Sequence, residues 1–148
     1  MKKFDFPLER VRRWRVEQAG IEELKMRQLR DRRTALAGEK RRVESDRTRS
    51  ERQVLTQATI EASEVQNLEA YRRHAANRIR DIGVRERQCD EQILEQRQRW
   101  MVARQKAELL ERLKQKAFEE WRSAAEREEE NLAAELYLAK RGRRWPPS

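Results

Sequence analysis

Apolar residues recur at alternating spacings of four and three along the second half of this chain of 148 residues. The repeat starts at Val65, ends at Ala124 and passes through Gly83 without a skip. A long repeat of this kind predicts a helix that lies against a second helix in a left-handed supercoil. We call the line of repeat positions the seam. Its apolar members are Val65, Leu68, Ala75, Ile79, Ile82, Cys89, Ile93, Trp100, Ala103, Ala107, Leu110, Ala117, Trp121 and Ala124, and its polar members are Arg72, Glu86, Gln96 and Lys114.

The composition argues against a compact enzyme fold. Charged residues make up 43% of the chain and hydrophobic residues 36%, so apolar side chains are too few to fill a three-dimensional core of ordinary size. Glycine and proline are scarce, with four and three copies, and the regular apolar spacing separates the chain from a disordered polar sequence. Long helices are the structure that satisfies both observations.

Proline and glycine indicate where the helical region begins and ends. Prolines stand at Pro7 and then only at 146 and 147, and proline is tolerated in the first turn of a helix but not in its interior. Gly142, which follows Lys140 and Arg141, suits a left-handed C-terminal cap. These residues predict a helical region from about residue 7 to about residue 141.

A single helix of this length cannot bury its apolar stripe, so the chain must fold back or pair with a second chain. The stretch 56–63 is poor in strong helix formers, and Ser63 with Gln66 matches a capping box at the start of a second helix. We therefore predict one domain, an all-α, long two-helix antiparallel coiled-coil hairpin. Its parts are helix 1 at about 7–55, a turn at about 56–63, helix 2 at about 64–141 and a tail at about 142–148.

A turn near residue 60 places residue i of the first helix opposite about residue 120 − i of the second. The apolar residues of the first helix, although less regular, fit this pairing. Leu29 then faces 89–93, Leu36 faces 82–86, Val43 faces 75–79, and Leu8 and Val11 face Leu110 and Leu113.

The second helix is predicted to be the longer one. At 1.5 Å per residue the first helix is roughly 70 Å long and the second roughly 115 Å, which leaves an overhang of about 40 Å that starts near Ala117. Apolar residues continue along one face of this overhang. An uncovered apolar stripe predicts a partner-binding surface or, alternatively, a contact between two copies of the chain. The stripe consists of Phe118, Trp121, Ala125, Leu132, Leu136 and Ala139.

The net charge of +9 raises the question of nucleic-acid binding. Residues 1–55 contain 17 lysines and arginines against 10 aspartates and glutamates. The acids are interleaved with the bases, as on a solvated helix surface with local ion pairs, and no aromatic-basic reading motif is found. We expect nucleic acid not to be a partner. The alternative, a structural or nucleic-acid-associated basic coiled coil, predicts steeply salt-dependent binding.

No motif for catalysis or metal binding is found in the sequence. Phosphate-binding glycine loops and the HExxH and nucleophile-elbow motifs are missing, while the single cysteine, Cys89, lies on the seam and His74 is the single histidine. We expect no catalytic residue, metal, cofactor or small-molecule substrate. No apolar run approaches the roughly 18 residues that span a bilayer, and the N-terminus lacks a signal-peptide apolar region, which predicts a cytoplasmic protein.

Segments near both ends of the chain suggest a family. They are residues 4–11 (FDFPLERV) followed by Trp14-Arg15, and residues 109–116 (LLERLKQK), 118–121 (FEEW) and 127–130 (REEE) leading to Leu136. Together they resemble the flagellar export protein FliJ family, a type III secretion stalk coiled coil, over nearly the whole chain. Two departures stand out, since Arg12 or Arg13 replaces a usual apolar residue and Trp121 replaces a more usual tyrosine.

The resemblance implies a stalk that couples the hexameric flagellar export ATPase to the membrane export gate and to escort chaperones, in support of flagellum assembly and motility. Such a protein is cytoplasmic and peripherally associated with the inner-membrane flagellar base. The related stalk of an injectisome remains an alternative. The residues expected to contact the ATPase are Leu113, Lys116, Phe118, Trp121, Ala125, Leu132 and Leu136, and those expected to contact the gate are Tyr71, Ala75, Arg78 and Ile82.

Overall fold

The computed structural model describes residues 2–144, and these residues form two helices. Helix α1 spans Glu9–Leu55, with 47 residues, and helix α2 spans Ala62–Arg144, with 83 residues. No strand occurs between residues 2 and 144. The predicted all-α helical hairpin with a longer second helix is therefore confirmed.

The first three helix ends lie within two residues of their predicted positions. Helix α1 begins at Glu9 instead of residue 7 and ends at Leu55 as expected. Helix α2 begins at Ala62, because the carbonyl of Glu61 accepts the amides of Glu64 (3.1 Å) and Val65 (3.3 Å). Ser63 thus lies inside the first turn of α2, and the prediction that it caps this helix is wrong.

The end of α2 differs more from the prediction. The helix continues to Arg144, and no residue between 2 and 144 has a positive φ angle, so the expected left-handed cap at Gly142 is wrong. The basic residues around Gly142 favour continuation, because cations near a helix C-terminus interact well with its dipole. The rest of the predicted tail, residues 145–148, lies outside the described residues.

The chain divides into two compact units. Unit 1 contains Met1–Ala19 and Ala103–Ser148, and unit 2 contains Gly20–Val102. Each unit includes part of α1 and part of α2, and the contacts in each unit run antiparallel.

The core of unit 2 follows the predicted pairing. Leu36, Ile82 and Cys89 form a buried cluster, with Val43 and Ile93 packed against it. The thiol of Cys89 donates to the carbonyl of Leu29 at 3.3 Å, so Leu29 also lies opposite its predicted region. Further buried apolar residues in this unit are Met26, Leu68 and Ala75.

The core of unit 1 departs from the prediction on the α1 side. Buried residues here include Phe6, Ala107, Leu110 and Ala125. Of the residues predicted to face one another here, Leu110 is buried, whereas Leu8, Val11 and Leu113 are 43%, 42% and 42% exposed. Leu8 precedes the first residue of α1, and Phe6 in the same non-helical segment is buried instead.

The polar seam residues of α2 each meet a polar partner on α1. In unit 2, Glu86 accepts a hydrogen bond from Arg33, and the side-chain amide of buried Gln96 donates to the backbone carbonyl of Glu22 at 3.0 Å. The remaining two pairs are Arg72 with Glu51 at 3.0 Å in unit 2 and Lys114 with Glu9 at 3.0 Å in unit 1. A shifted register would leave these groups without partners, so the pairs favour a single alignment of the helices.

Candidate partner-binding surface

The last part of α2 in unit 1 is a helix whose side chains all face solvent. Every residue from 126 to 143 is exposed, and we call this segment the overhang. Its 18 residues correspond to about 27 Å of helix. Four large apolar side chains in it are more than half exposed: Leu132 (56%), Leu136 (62%), Tyr137 (64%) and Leu138 (63%). Such a concentration of exposed apolar side chains is typical of an interaction surface.

Three aromatic rings pack against one another at the end of the seam, just before the overhang. Phe4 packs edge-on against Phe118, with ring centroids 5.2 Å apart, and lies 5.9 Å from Trp121. Phe118 and Trp121 are stacked at 5.8 Å, and the indole N–H of Trp121 donates to the carbonyl of Lys2 at 3.1 Å. The segment that precedes α1 therefore covers part of α2, and we call these rings the aromatic cluster.

This covering shortens the predicted overhang. The prediction started it near Ala117, but Ala117 and Trp121 are only partly exposed and Ala125 is buried, at 9% exposure. Residues 2–6 are not helical, yet their contacts continue the alignment of the two helices, since Glu9 pairs with Lys114 and the Lys2 carbonyl meets Trp121, seven residues farther on in both segments. The segment before α1 thus covers a part of α2 that α1 itself does not reach.

An ion-pair group fixes the start of α1 beside α2. The carboxylate of Glu9 pairs with Arg12 at 2.6 Å and with Lys114 at 3.0 Å, and Arg12 also pairs with Glu111 at 3.1 Å. Hydrogen bonds first from Arg12 and then from Lys114 lower the pKa of Glu9 to about 2. These contacts hold the first turn of α1 in place, and with it the segment that carries Phe4.

The charges of the overhang are separated along its length. Four glutamates occupy its first five residues, and the first of them, Glu126, pairs with Arg122 at 3.3 Å. Arg127 stands among these glutamates, the apolar residues follow with Glu135 between them, and the basic residues Lys140, Arg141 and Arg143 come last. Among the described residues, no ion pair joins the acidic end of the overhang to its basic end.

The residues predicted to contact an ATPase fall into three groups. Phe118 and Trp121 lie together in the aromatic cluster, and Ala125 beyond them is buried. Leu132 and Leu136 are exposed in the overhang. Leu113 and Lys116 are exposed on α2 before the cluster.

Sequence reasoning missed two exposed apolar residues of the overhang, Tyr137 and Leu138. The signal was available, because three consecutive large apolar residues, 136–138, cannot all face one side of a helix. The overhang therefore presents apolar side chains on more than one face.

The four residues predicted to contact an export gate lie in unit 2 and differ in accessibility. Ala75 and Ile82 are 2% exposed and pack in the seam, so only a small part of either side chain is accessible to a partner. Tyr71 is half-buried, and Arg78 is exposed and pairs with Glu39 at 3.0 Å. Tyr71 and Arg78 line one groove between α1 and α2, together with Glu39, Arg42, Val43, Asp46, His74 and Ala75.

Residues 2–144 contain no group of three histidine, cysteine or acidic side chains arranged to hold a metal ion. Neither described helix has a stretch long and apolar enough to cross a membrane. The buried thiol of Cys89 is occupied by its contact with the Leu29 carbonyl. The overhang and the groove at Tyr71 each contain exposed residues among those predicted to contact partners.

No protein-family model matches this chain, and comparisons with curated proteins and with solved structures also find no match.

Proposed function

We propose that this chain is a stalk component of the flagellar type III protein export apparatus, which couples the hexameric export ATPase to the membrane export gate and escort chaperones. The resemblance of residues 4–11 and 109–136 to the FliJ family suggests the system. The observation that carries the mechanism is the overhang. This single helical segment of unit 1, residues 126–143, is not covered by any other described part of the unit.

The distribution of apolar side chains on the overhang suits contact from several sides. A hexameric pore surrounds whatever enters it, so it contacts a single helix around its circumference. Leu136, Tyr137 and Leu138 follow one another at about 100° per residue, and all three are more than 60% exposed. Aromatic side chains are enriched among the residues that dominate binding energy. We therefore assign the ATPase contact chiefly to Leu132, Leu136, Tyr137 and Leu138.

The aromatic cluster then has a supporting role. Trp121 is already engaged by Phe4 and by the Lys2 carbonyl, so its removal would detach the segment before α1 as well as alter any contact surface. Substitution of Trp121 is for this reason a poor test of ATPase binding.

The groove at Tyr71 is the surface proposed for the export gate. It combines a half-buried aromatic ring with charged residues of both signs, among them Arg78 and Asp46. A partner that binds there keeps the protein peripherally associated with the membrane, although neither described helix is able to cross it.

Turnover of the cognate export ATPase, titrated with the wild-type chain, tests the proposal. Leu138→Glu introduces a charge into the overhang. Leu94→Glu is its matched control, because Leu94 is 64% exposed against 63% for Leu138 and lies on α2 in unit 2. We expect stimulation by wild type and by Leu94→Glu, and at least a tenfold higher half-maximal concentration for Leu138→Glu, equivalent to about 1.4 kcal/mol. Absence of stimulation by the wild-type chain, with the hexamer competent, would refute the stalk mechanism.

A further inference from the structure

The apolar stripe predicted from the sequence continues into the overhang beyond its last covered residues, Trp121 and Ala125. Leu132, Leu136 and Ala139 belong to this stripe. Positions 129 and 143 lie on the same helix face, at its two ends. The five positions form one helix face, and no described residue of the chain covers it. Its residues are Glu129, Leu132, Leu136, Ala139 and Arg143.

We propose that this face pairs antiparallel with the same face of a second copy of the chain, so that the protein forms a two-fold dimer through its overhangs. The face is self-complementary only in this orientation. An antiparallel alignment with its axis at Leu136 sets Glu129 opposite Arg143 of the second copy. The same alignment brings the two copies of Leu136 together at the axis and sets Leu132 within one residue of Ala139.

One flank of the face has the same complementarity, whereas the opposite flank carries Glu128 and Glu135. Glu130 and Lys140 lie on one side of it, since positions 126, 130, 137 and 140 follow one another along the helix. The antiparallel alignment places each Glu130 beside a Lys140 of the other copy. A parallel dimer would instead place acids beside acids and bases beside bases, which is unfavourable. The charge order acid, apolar, base thus selects the antiparallel orientation.

A second copy fits this surface for reasons of symmetry. A two-fold interface uses one patch twice, so the patch must be complementary to itself when reversed. The overhang meets this condition, with acids at 128–130, large apolar residues at 132 and 136, and bases at 140, 141 and 143. The described contacts leave the whole segment exposed, so pairing displaces nothing from it.

The interface is short, and the dimer is correspondingly weak. Residues 129–143 span about 21 Å of helix, fewer than five turns. Burial of two half-exposed leucines per copy supplies the attraction, whereas surface ion pairs add less than about 1 kcal/mol each and mainly set the orientation. We expect a dissociation constant on the order of 10 to 100 µM, typical of small interfaces.

Two charge-reversed variants of the full chain test the pairing. The acid-reversed variant carries Glu129→Arg and Glu130→Arg, and the base-reversed variant carries Lys140→Glu and Arg143→Glu. Each variant has one sign of charge at both ends of the face, so it repels itself, but the two complement each other. A control variant with Glu119→Arg and Glu120→Arg changes the same charges on exposed residues that precede the face.

Sedimentation equilibrium at about 1 to 300 µM measures the outcome. We expect the wild type and the control variant to form dimers, each reversed variant alone to stay monomeric, and their equimolar mixture to dimerise. A misfolded variant could not recover on mixing, so restoration separates lost pairing from lost folding. A monomeric wild type at the highest concentration, or reversed variants that dimerise alone as tightly as wild type, would overturn the proposal. Sedimentation of the variants, alone or mixed, involves no ATPase. The dimer is therefore tested independently of the proposed function.

Discussion

Truncation of Ile82 is the sharpest test of the seam in unit 2. Ile82 is 2% exposed and lies in one buried cluster with Leu36 and Cys89. Isoleucine to alanine removes three carbon atoms, each worth about 0.8 kcal/mol of transfer free energy, or about 2.4 kcal/mol in total. A two-helix interface is open at its sides, so the cavity term adds little, and Ile82→Ala should lie near the lower end of the usual range of about 2–5 kcal/mol.

The single cysteine provides a local readout of this change. Cys89 is 2% exposed and belongs to the same cluster, so a thiol reagent reaches it only when the helices separate locally. When opening is in rapid equilibrium, the labelling rate follows the population of the open state. A loss of about 2.4 kcal/mol therefore predicts labelling of Cys89 about 50-fold faster in Ile82→Ala than in wild type.

Leu94→Ala is the matched control, because Leu94 lies on the same helix and is 64% exposed. Its effect on labelling should stay within about threefold, since substitutions of exposed residues usually change stability by less than about 0.5 kcal/mol. An acceleration below about fivefold in Ile82→Ala, or equal acceleration in both variants, would refute the assignment of Ile82 to the buried seam.

Two further predictions concern the ends and the middle of the helices. The pKa of Glu9 is lowered to about 2 in the folded chain, so its stabilising contribution is complete above the ordinary glutamate pKa of about 4.5 and is lost as the pH falls towards about 2. Glu9→Gln should remove this part of the acid sensitivity, as followed by the circular dichroism of the wild type and the variant between pH 5 and 2. Gly83 lies inside α2, and a Cβ added there meets no atom within 4 Å. Gly83→Ala should therefore stabilise the chain by about 1 kcal/mol in urea unfolding, and destabilisation would contradict the open space at this position.

The seam of α2 was predictable because its repeat is long and unbroken. Leu68, Ala75, Ile82, Cys89 and Leu110 are all buried as the spacing predicted. Even the polar members Glu86 and Gln96 are buried, at 8% and 6% exposure. A repeat over many heptads leaves a helix one face to bury, and an isolated polar residue does not change which face that is.

The α1 side and the segment before it were less predictable. Met26 is 4% exposed but stood outside the apolar line read from the sequence, and Phe6 is buried although it precedes the helix. The contact of Phe4 with Phe118 and Trp121 joins the segment before α1 to a part of α2 more than 110 residues later in the chain. No local pattern encodes such a contact, because it depends on where a non-helical segment lies against a helix that is distant in sequence.

The sequence left two candidates for the last covered residue before the overhang, Ala124 in the repeat and Ala125 in the apolar stripe, and the structure decides between them. The heptad count reaches Ala124, which is exposed, whereas Ala125 is buried. A shift of one residue rotates a helix face by about 100°, and it decides whether Glu129 and Arg143 lie on the same face as Leu132 and Leu136.

The two proposed uses of the overhang exclude each other, since Leu132 and Leu136 cannot contact an ATPase pore and a second overhang at once. If binding requires the monomer, its apparent dissociation constant rises as the monomer fraction falls. Above the dimer dissociation constant, wild type should therefore stimulate the ATPase less per added chain than a variant that cannot self-pair. The acid-reversed and base-reversed variants change charge in opposite directions and share only the loss of pairing. Greater stimulation per chain by both variants than by wild type would therefore indicate competition, whereas opposite effects of the two would show that charge alone governs ATPase contact and would refute the competition.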